Sequence, residues 1–202
     1  VRRRTLELVL VLSGSVVAAF LLMGATIHLM SEVSMGRGVL AIGAVLAVVR
    51  DSARRLDAGT DEPLAKNGVV VIALDFRMPP EARYPASLID VNYAVRWAKA
   101  HAADWNGRAD RVGILGVSSG GHQAMLTALR PRDGMFATIP LKGATNIDAS
   151  VQIAIMCWPV IDPLGRYEYA KNLKAAGGNY PPVVDRVLPD HDRYWQSEDA
   201  MA

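Results

Sequence analysis

Residues 111–126 read RVGILGVSSGGHQAML: an apolar run that passes Gly116 and Val117, presents two serines and two more glycines, and resumes with helix formers. The run RVGILGV (111–117) is short, β-branched and apolar, as a strand buried on both faces is, and the segment from Ser119 to Leu129 suits a helix. The backbone must therefore bend hard at Ser118. Two chemistries use a strand, a glycine-rich turn and a helix in that order: one cradles phosphate on the turn, the other presents a nucleophile from it.

The phosphate reading fails on two positions. Gly116 and Gly121 satisfy Gly-x-x-x-x-Gly, but the next two residues are His122 and Gln123, where a P-loop needs a lysine for the phosphates and a Ser/Thr for magnesium. The same residues satisfy Gly-x-Ser-x-Gly as Gly116-Val117-Ser118-Ser119-Gly120. In a nucleophile elbow the serine sits on a strained strand-to-helix turn, and small residues two before and two after it let the neighbouring backbones approach. Ser118 is then the candidate nucleophile. The backbone N–H of Ser119, in the first turn of the helix and at its positive dipole end, is the candidate oxyanion donor. Gly116, Gly120 and Gly121 are the elbow glycines. A glycine turn with a purely structural role is the alternative.

Outward from the elbow the pattern repeats. GVVVIALDF (68–76) is a β-branched apolar run bounded by Gly68 and the turn-forming RMPPE. In the helix that follows, Leu88, Val91, Val95, Ala98, Ala102 and Trp105 recur at helical spacing, and Ser87 with Asp90 three residues on has the form of a capping box. SVQIAIMCWPV (150–160) is a third strand. Strand, helix, strand, helix, strand specifies a parallel sheet with crossover helices. Residues 60–162 form this core, and residues 163–202, polar, aromatic and proline-punctuated, suit a cap-like helical insertion. Trp158, Tyr167, Tyr169, Tyr180, Tyr194 and Trp195 either line an apolar pocket or, more commonly for such aromatics, pack cap against core.

Residues 1–59 differ in character. After VRRRTLE no formal charge occurs from Leu8 to Met30, and a second apolar stretch runs from Val39 to Val49. Three readings stay open: a membrane anchor through residues 8–30 behind a positive-inside arginine cluster, buried strands such as Leu8–Leu12 and Val16–Leu22, or sequence foreign to the fold. The expected location is cytoplasmic, with membrane anchoring as the alternative.

Composition narrows the function classes. With 202 residues, 51% of them hydrophobic, the chain can fill one sizeable core. A net charge of +2, with no basic run interleaved with aromatics, speaks against a nucleic-acid partner. Cys157 is the one cysteine, so no internal disulfide forms, and without Cys/His pairs at ligand spacing no metal site is expected. Nothing in the sequence sets an oligomeric state.

The segment ALDFRMPPEARYPASLIDVNYAVRW resembles a signature of hormone-sensitive-lipase-like α/β-hydrolases, carried here by Asp75, Phe76, Arg77, Pro80, Glu81, Tyr84, Pro85, Ala86 and Asp90. It lies one helix before the elbow, as in that family, and GVSSGGH is similar to the family's elbow. The resemblance covers roughly residues 64–165. It implies an α/β-hydrolase fold and a serine carboxylesterase acting on small-molecule acyl esters, with no cofactor and no metal.

The chain also departs from that family. No His-Gly-Gly oxyanion loop occurs in residues 1–63. The family's acid and base follow the serine on later loops, and neither has an evident position here. His122 is expected to pack against neighbouring loops, His101 to meet solvent or a helix end, and Asp162 to cap a helix; His191 sits between aspartates, and His28 lies in the apolar run. The expectation is an esterase fold incomplete at both ends, lacking its triad acid and base, with an exposed apolar sheet edge and poor solubility. The alternative is a non-catalytic, membrane-tethered binding protein of the same fold.

Overall fold

The computed structural model describes residues 45–49, 59, 61–182 and 184–202. Residues 8–30, on which the anchor and early-strand readings rest, lie outside the described residues. No helix among the described residues is long and apolar enough to cross a membrane.

In chain order the elements are strand β1 (Val45–Val49), helix α1 (Asp61–Lys66), β2 (Val70–Leu74), α2 (Ala86–His101), β3 (Val112–Val117), α3 (Ser119–Leu129), β4 (Ile153–Cys157), α4 (Pro163–Ala176), α5 (Val184–Asp190) and α6 (Glu198–Met201). The described strands form one parallel sheet in the order β2-β1-β3-β4. The three strands expected from residue 68 onward are present. A fourth, β1, lies ahead of the boundary expected at residue 60, and it sits between β2 and β3. Val45 pairs with Val70 on one side and Val112 on the other. A central parallel strand is covered on both faces and both edges, so its sequence is a plain apolar run.

Side chains alternate between the two faces with a period of two, as a strand requires. Val70, Ile72 and Leu74 of β2 and Val112 and Ile114 of β3 face one cluster, with Val91, Val95 and Ala98 of α2 and Ala124 of α3. Val71, Leu115, Val117 and Ile155 face the other side, where Leu64 of α1 meets them. The spacing read from α2 holds for Leu88, Val91, Val95 and Ala98, which are fully buried, and for Ala102, but not for Trp105, which lies beyond the helix end in a 3-10 turn and is 37% exposed.

The capping box expected at the start of α2 is not formed. The helix begins after Pro85 without a side-chain cap. Asp90 instead accepts from Arg77, whose Nε and Nη2 reach it at 2.8–3.1 Å while the Arg77 backbone N–H reaches Oδ2 at 2.9 Å. Ser87 is buried against the Tyr194 hydroxyl. Both side chains are occupied by tertiary partners that outcompete a local cap.

The expected apolar edge is visible on β4, the outer described strand on its side, where Ile153 is 51% and Met156 38% exposed. The described residues from 163 onward form α4, α5, a π-helical turn at His191–Trp195 and α6, with non-helical connections after α4 and before α6. Ala170 of α4 and Val184 and Val187 of α5 form a small cluster with Tyr167, Leu173, Tyr180 and Leu188.

Candidate active site

Ser118 occupies the junction between β3 and α3 with φ 57° and ψ −119°. A positive φ is uncommon outside glycine and costs about 1–3 kcal/mol, so surrounding structure must impose it. Two backbone hydrogen bonds do so. The Ser118 N–H donates to the Cys157 carbonyl at the end of β4 (2.8 Å), and the His122 N–H donates to the Ser118 carbonyl (3.2 Å).

The glycines answer to the same geometry. A Cβ on Gly116 would collide with the carbonyl of Gly120 and come within 2.8 Å of the Ala124 Cβ. A Cβ on Gly121 would lie 3.1 Å from the Cα of Pro159 and 3.3 Å from the Cys157 carbonyl oxygen. Helix α3 thus crosses the end of β3 at backbone contact distance. Ser118 is exposed at this crossing, and Ser119 is half-buried in the first turn of α3.

Among the described histidines, no imidazole is bonded to the Ser118 hydroxyl. His122 is buried, and its Nδ1 lies 2.6 Å from the Val160 carbonyl oxygen, so Nδ1 carries the proton and donates it. Its Nε2 is enclosed without a hydrogen-bond partner, and the Trp195 ring meets the imidazole edge-on at 5.4 Å. Burial pushes the His122 pKa below the ordinary histidine value, partly offset by the Val160 carbonyl. His101 pairs with Asp104 at 2.8 Å and packs against Trp97. His191 pairs with Asp192 at 2.7 Å and stacks on Tyr167. His28 lies outside the described residues. Asp162 caps α4 by accepting from the Gly165 N–H at 2.8 Å. The Cys157 thiol is half-buried, with its pKa raised by burial, as befits an inert thiol.

Beside the elbow is a cavity of about 240 Å³, walled by Met78, Ser119, His122, Val160, Tyr194 and Trp195. The Tyr194 hydroxyl is a hub: Gln123 Nε2 donates to it at 2.9 Å, and it is bonded to Ser87. Of the aromatics singled out in the sequence, Tyr194 and Trp195 line this cavity, whereas Tyr169 is 63% exposed. Gln123 and Ser87 carry no local signal of this contact, because Tyr194 lies 71 and 107 residues away from them. Among the described residues no group of three or more His, Cys, Asp or Glu is placed to hold a metal ion.

A parallel sheet with crossover helices and a serine turn at the carboxyl end of a central strand define the α/β-hydrolase class. The family model named BD-FAE matches residues 43–175, and the chain belongs to that family. The "Probable carboxylic ester hydrolase LipM" of Mycobacterium tuberculosis is 36% identical over 130 residues, covering 64% of this chain. Esterase LipC of the same organism is 29% identical over 126 residues, covering 62%. The chain spans 28% and 29% of those two proteins. Among solved structures, an acetyl ester-xyloside bifunctional hydrolase from Caldicellulosiruptor lactoaceticus aligns with TM-score 0.50 and 25% identity, over 80% of this chain and 57% of that one. The resemblance to hormone-sensitive-lipase-like esterases is therefore correct at the level of family and fold, and the family is of the carboxylesterase type.

Proposed function

We propose that Ser118 is the nucleophile of a carboxylesterase acting on small-molecule acyl esters. One observation carries the reading: an exposed serine, not a glycine, is held at φ 57° where the end of a central strand meets a helix. Ser118 Oγ attacks the ester carbonyl, the Ser119 N–H stabilises the developing oxyanion, the alcohol leaves, and water releases the acyl group from the serine. A histidine must take the Ser118 proton, and none of the imidazoles of His101, His122 and His191 is bonded to the Ser118 hydroxyl. In this reading the base and its acid lie outside the described residues, and the chain spans 28% and 29% of the two esterase relatives. Serine hydrolases stripped of triad members keep roughly 10³–10⁴ of rate enhancement over water, so the segment by itself is expected to be a weak catalyst.

A fluorophosphonate probe, followed by intact-mass analysis, tests the assignment on a form extended at both ends. Labelling that disappears in Ser118→Ala is expected. Absence of labelling in a folded extended protein would overturn it and leave the non-catalytic binding reading.

A further inference from the structure

The cavity beside Ser119 carries charges that ester hydrolysis alone does not use. Besides its apolar wall it is lined by Arg166 of α4, by Arg193 from the helical turn after α5, and by Asp190 at the end of α5. Arg77, Arg108, Arg130 and Arg132 each hold a carboxylate. Among the described residues, no carboxylate lies within ion-pair distance of Arg166 or Arg193. Among the described lining residues are two guanidiniums and one carboxylate, and burial favours the neutral form of His122, which also lines the cavity.

We infer that this cavity selects esters bearing a carboxylate, half-esters of short dicarboxylic acids, with Arg166 and Arg193 as the specificity-determining residues. The inference rests on the esterase reading of Ser118. Guanidinium forks match the planar geometry of a carboxylate and hold it more specifically than an ammonium would. Ser119, the candidate oxyanion donor and the chain neighbour of Ser118, lines the same cavity as the two arginines, which places a carboxylate a few methylenes from an ester carbonyl held at the elbow. Met78, Val160 and Trp195 supply apolar surface for those methylenes. Asp190 opposes the anion and keeps its affinity modest.

The test is a ligand-observed NMR titration of the full chain carrying Ser118→Ala, which binds without turnover. Monomethyl succinate is compared with methyl 4-oxopentanoate, in which an acetyl group replaces the carboxylate. Both arginines are solvent-exposed, so the charged ligand is expected to bind about 3- to 10-fold more tightly at low ionic strength. That ratio should shrink in about 0.3 M salt. Arg166→Gln and Arg193→Gln should each lower it, and Asp190→Asn should raise it. Equal binding of the two ligands, binding of neither, or a ratio indifferent to all three substitutions overturns the inference. Fluorophosphonate labelling of Ser118 reports separately on the esterase reading, since the titration involves no reaction.

Discussion

The backbone N–H of Ser118 donates to the carbonyl of Cys157 at 2.8 Å, just beyond Val117↔Cys157, the last paired position of β3 and β4. The strained serine is thus clamped by the outer described strand rather than by its own strand alone. The conformation that exposes the hydroxyl depends on β4 remaining paired, although Ile153 and Met156 of that strand lie partly in solvent. Sheet edge and candidate nucleophile are mechanically one unit.

Gly116→Ala should loosen that unit. The new methyl would overlap the Gly120 carbonyl, and backbone can relieve such a contact only by shifting. Overpacking of this kind costs about 1–3 kcal/mol. Gly134→Ala is the control, since nothing lies within 4 Å of a Cβ there. Urea unfolding should separate the two variants clearly, and equal midpoints would show that α3 does not cross β3 as closely as described.

Much of this architecture is legible in the sequence because its determinants are local. A β-branched run ending in Gly-x-Ser-x-Gly fixes β3, the turn and α3 within nineteen consecutive residues, Arg111 to Leu129. The 3–4 spacing of Leu88, Val91, Val95 and Ala98 fixes the buried face of α2. Strand β1 escapes, because Val45–Val49 is the end of a longer apolar stretch that begins at Val39, so that Arg50 and Asp51 mark its end while only Gly43 interrupts the apolar residues ahead of it. A fully covered strand and a stretch of unrelated apolar sequence look alike when only hydropathy is read. Ser87 and Asp90 mislead for the opposite reason: their spacing fits a local cap, while their partners are Tyr194 and Arg77. No spacing rule links residues 87 and 194.

Arg77 and Asp90 should show measurable coupling. The carboxylate receives both Nε and Nη2 of the guanidinium together with the Arg77 backbone N–H, and the Asp90 side chain is only 17% exposed. The hydrogen bond to Asp90 is the main cause of the raised Arg77 pKa. Arg77 is itself 42% exposed, so solvent screening limits the pair to about 1 kcal/mol. A double-mutant cycle with Arg77→Gln and Asp90→Asn, read by denaturant unfolding, checks this; additive effects would reduce the contact to surface decoration.

Tyr194→Phe should destabilise the docking of the C-terminal segment. The hydroxyl serves Gln123 Nε2 and Ser87, both buried, and its loss leaves two buried polar groups without that partner. Stranded buried groups cost about 1–3 kcal/mol. Because Gln123 neighbours His122 on α3, the variant should also alter Trp195 fluorescence through the shared cavity. A melting temperature and emission spectrum unchanged from the parent chain would contradict the hub.

His122 should make stability depend on pH near neutrality. Burial lowers its pKa in the folded chain, so the fold favours neutral imidazole, with Nδ1–H donating to Val160. The unfolded chain titrates near 6.5 and binds the proton more readily. Stability from this group is therefore fully present above the unfolded value and is lost as pH falls below about 6.5 toward the folded pKa. The slope in that window is at most about 1.4 kcal/mol per pH unit for one proton. Asp148, whose pKa is depressed chiefly by the Ser150 hydroxyl, acts lower, below the ordinary carboxylate range, and does not overlap. Urea unfolding at several pH values between about 5 and 7.5 should show the parent chain losing stability on acidification more steeply than His122→Asn. Parallel curves for the two proteins would mean that the imidazole is already solvated through the cavity that it lines.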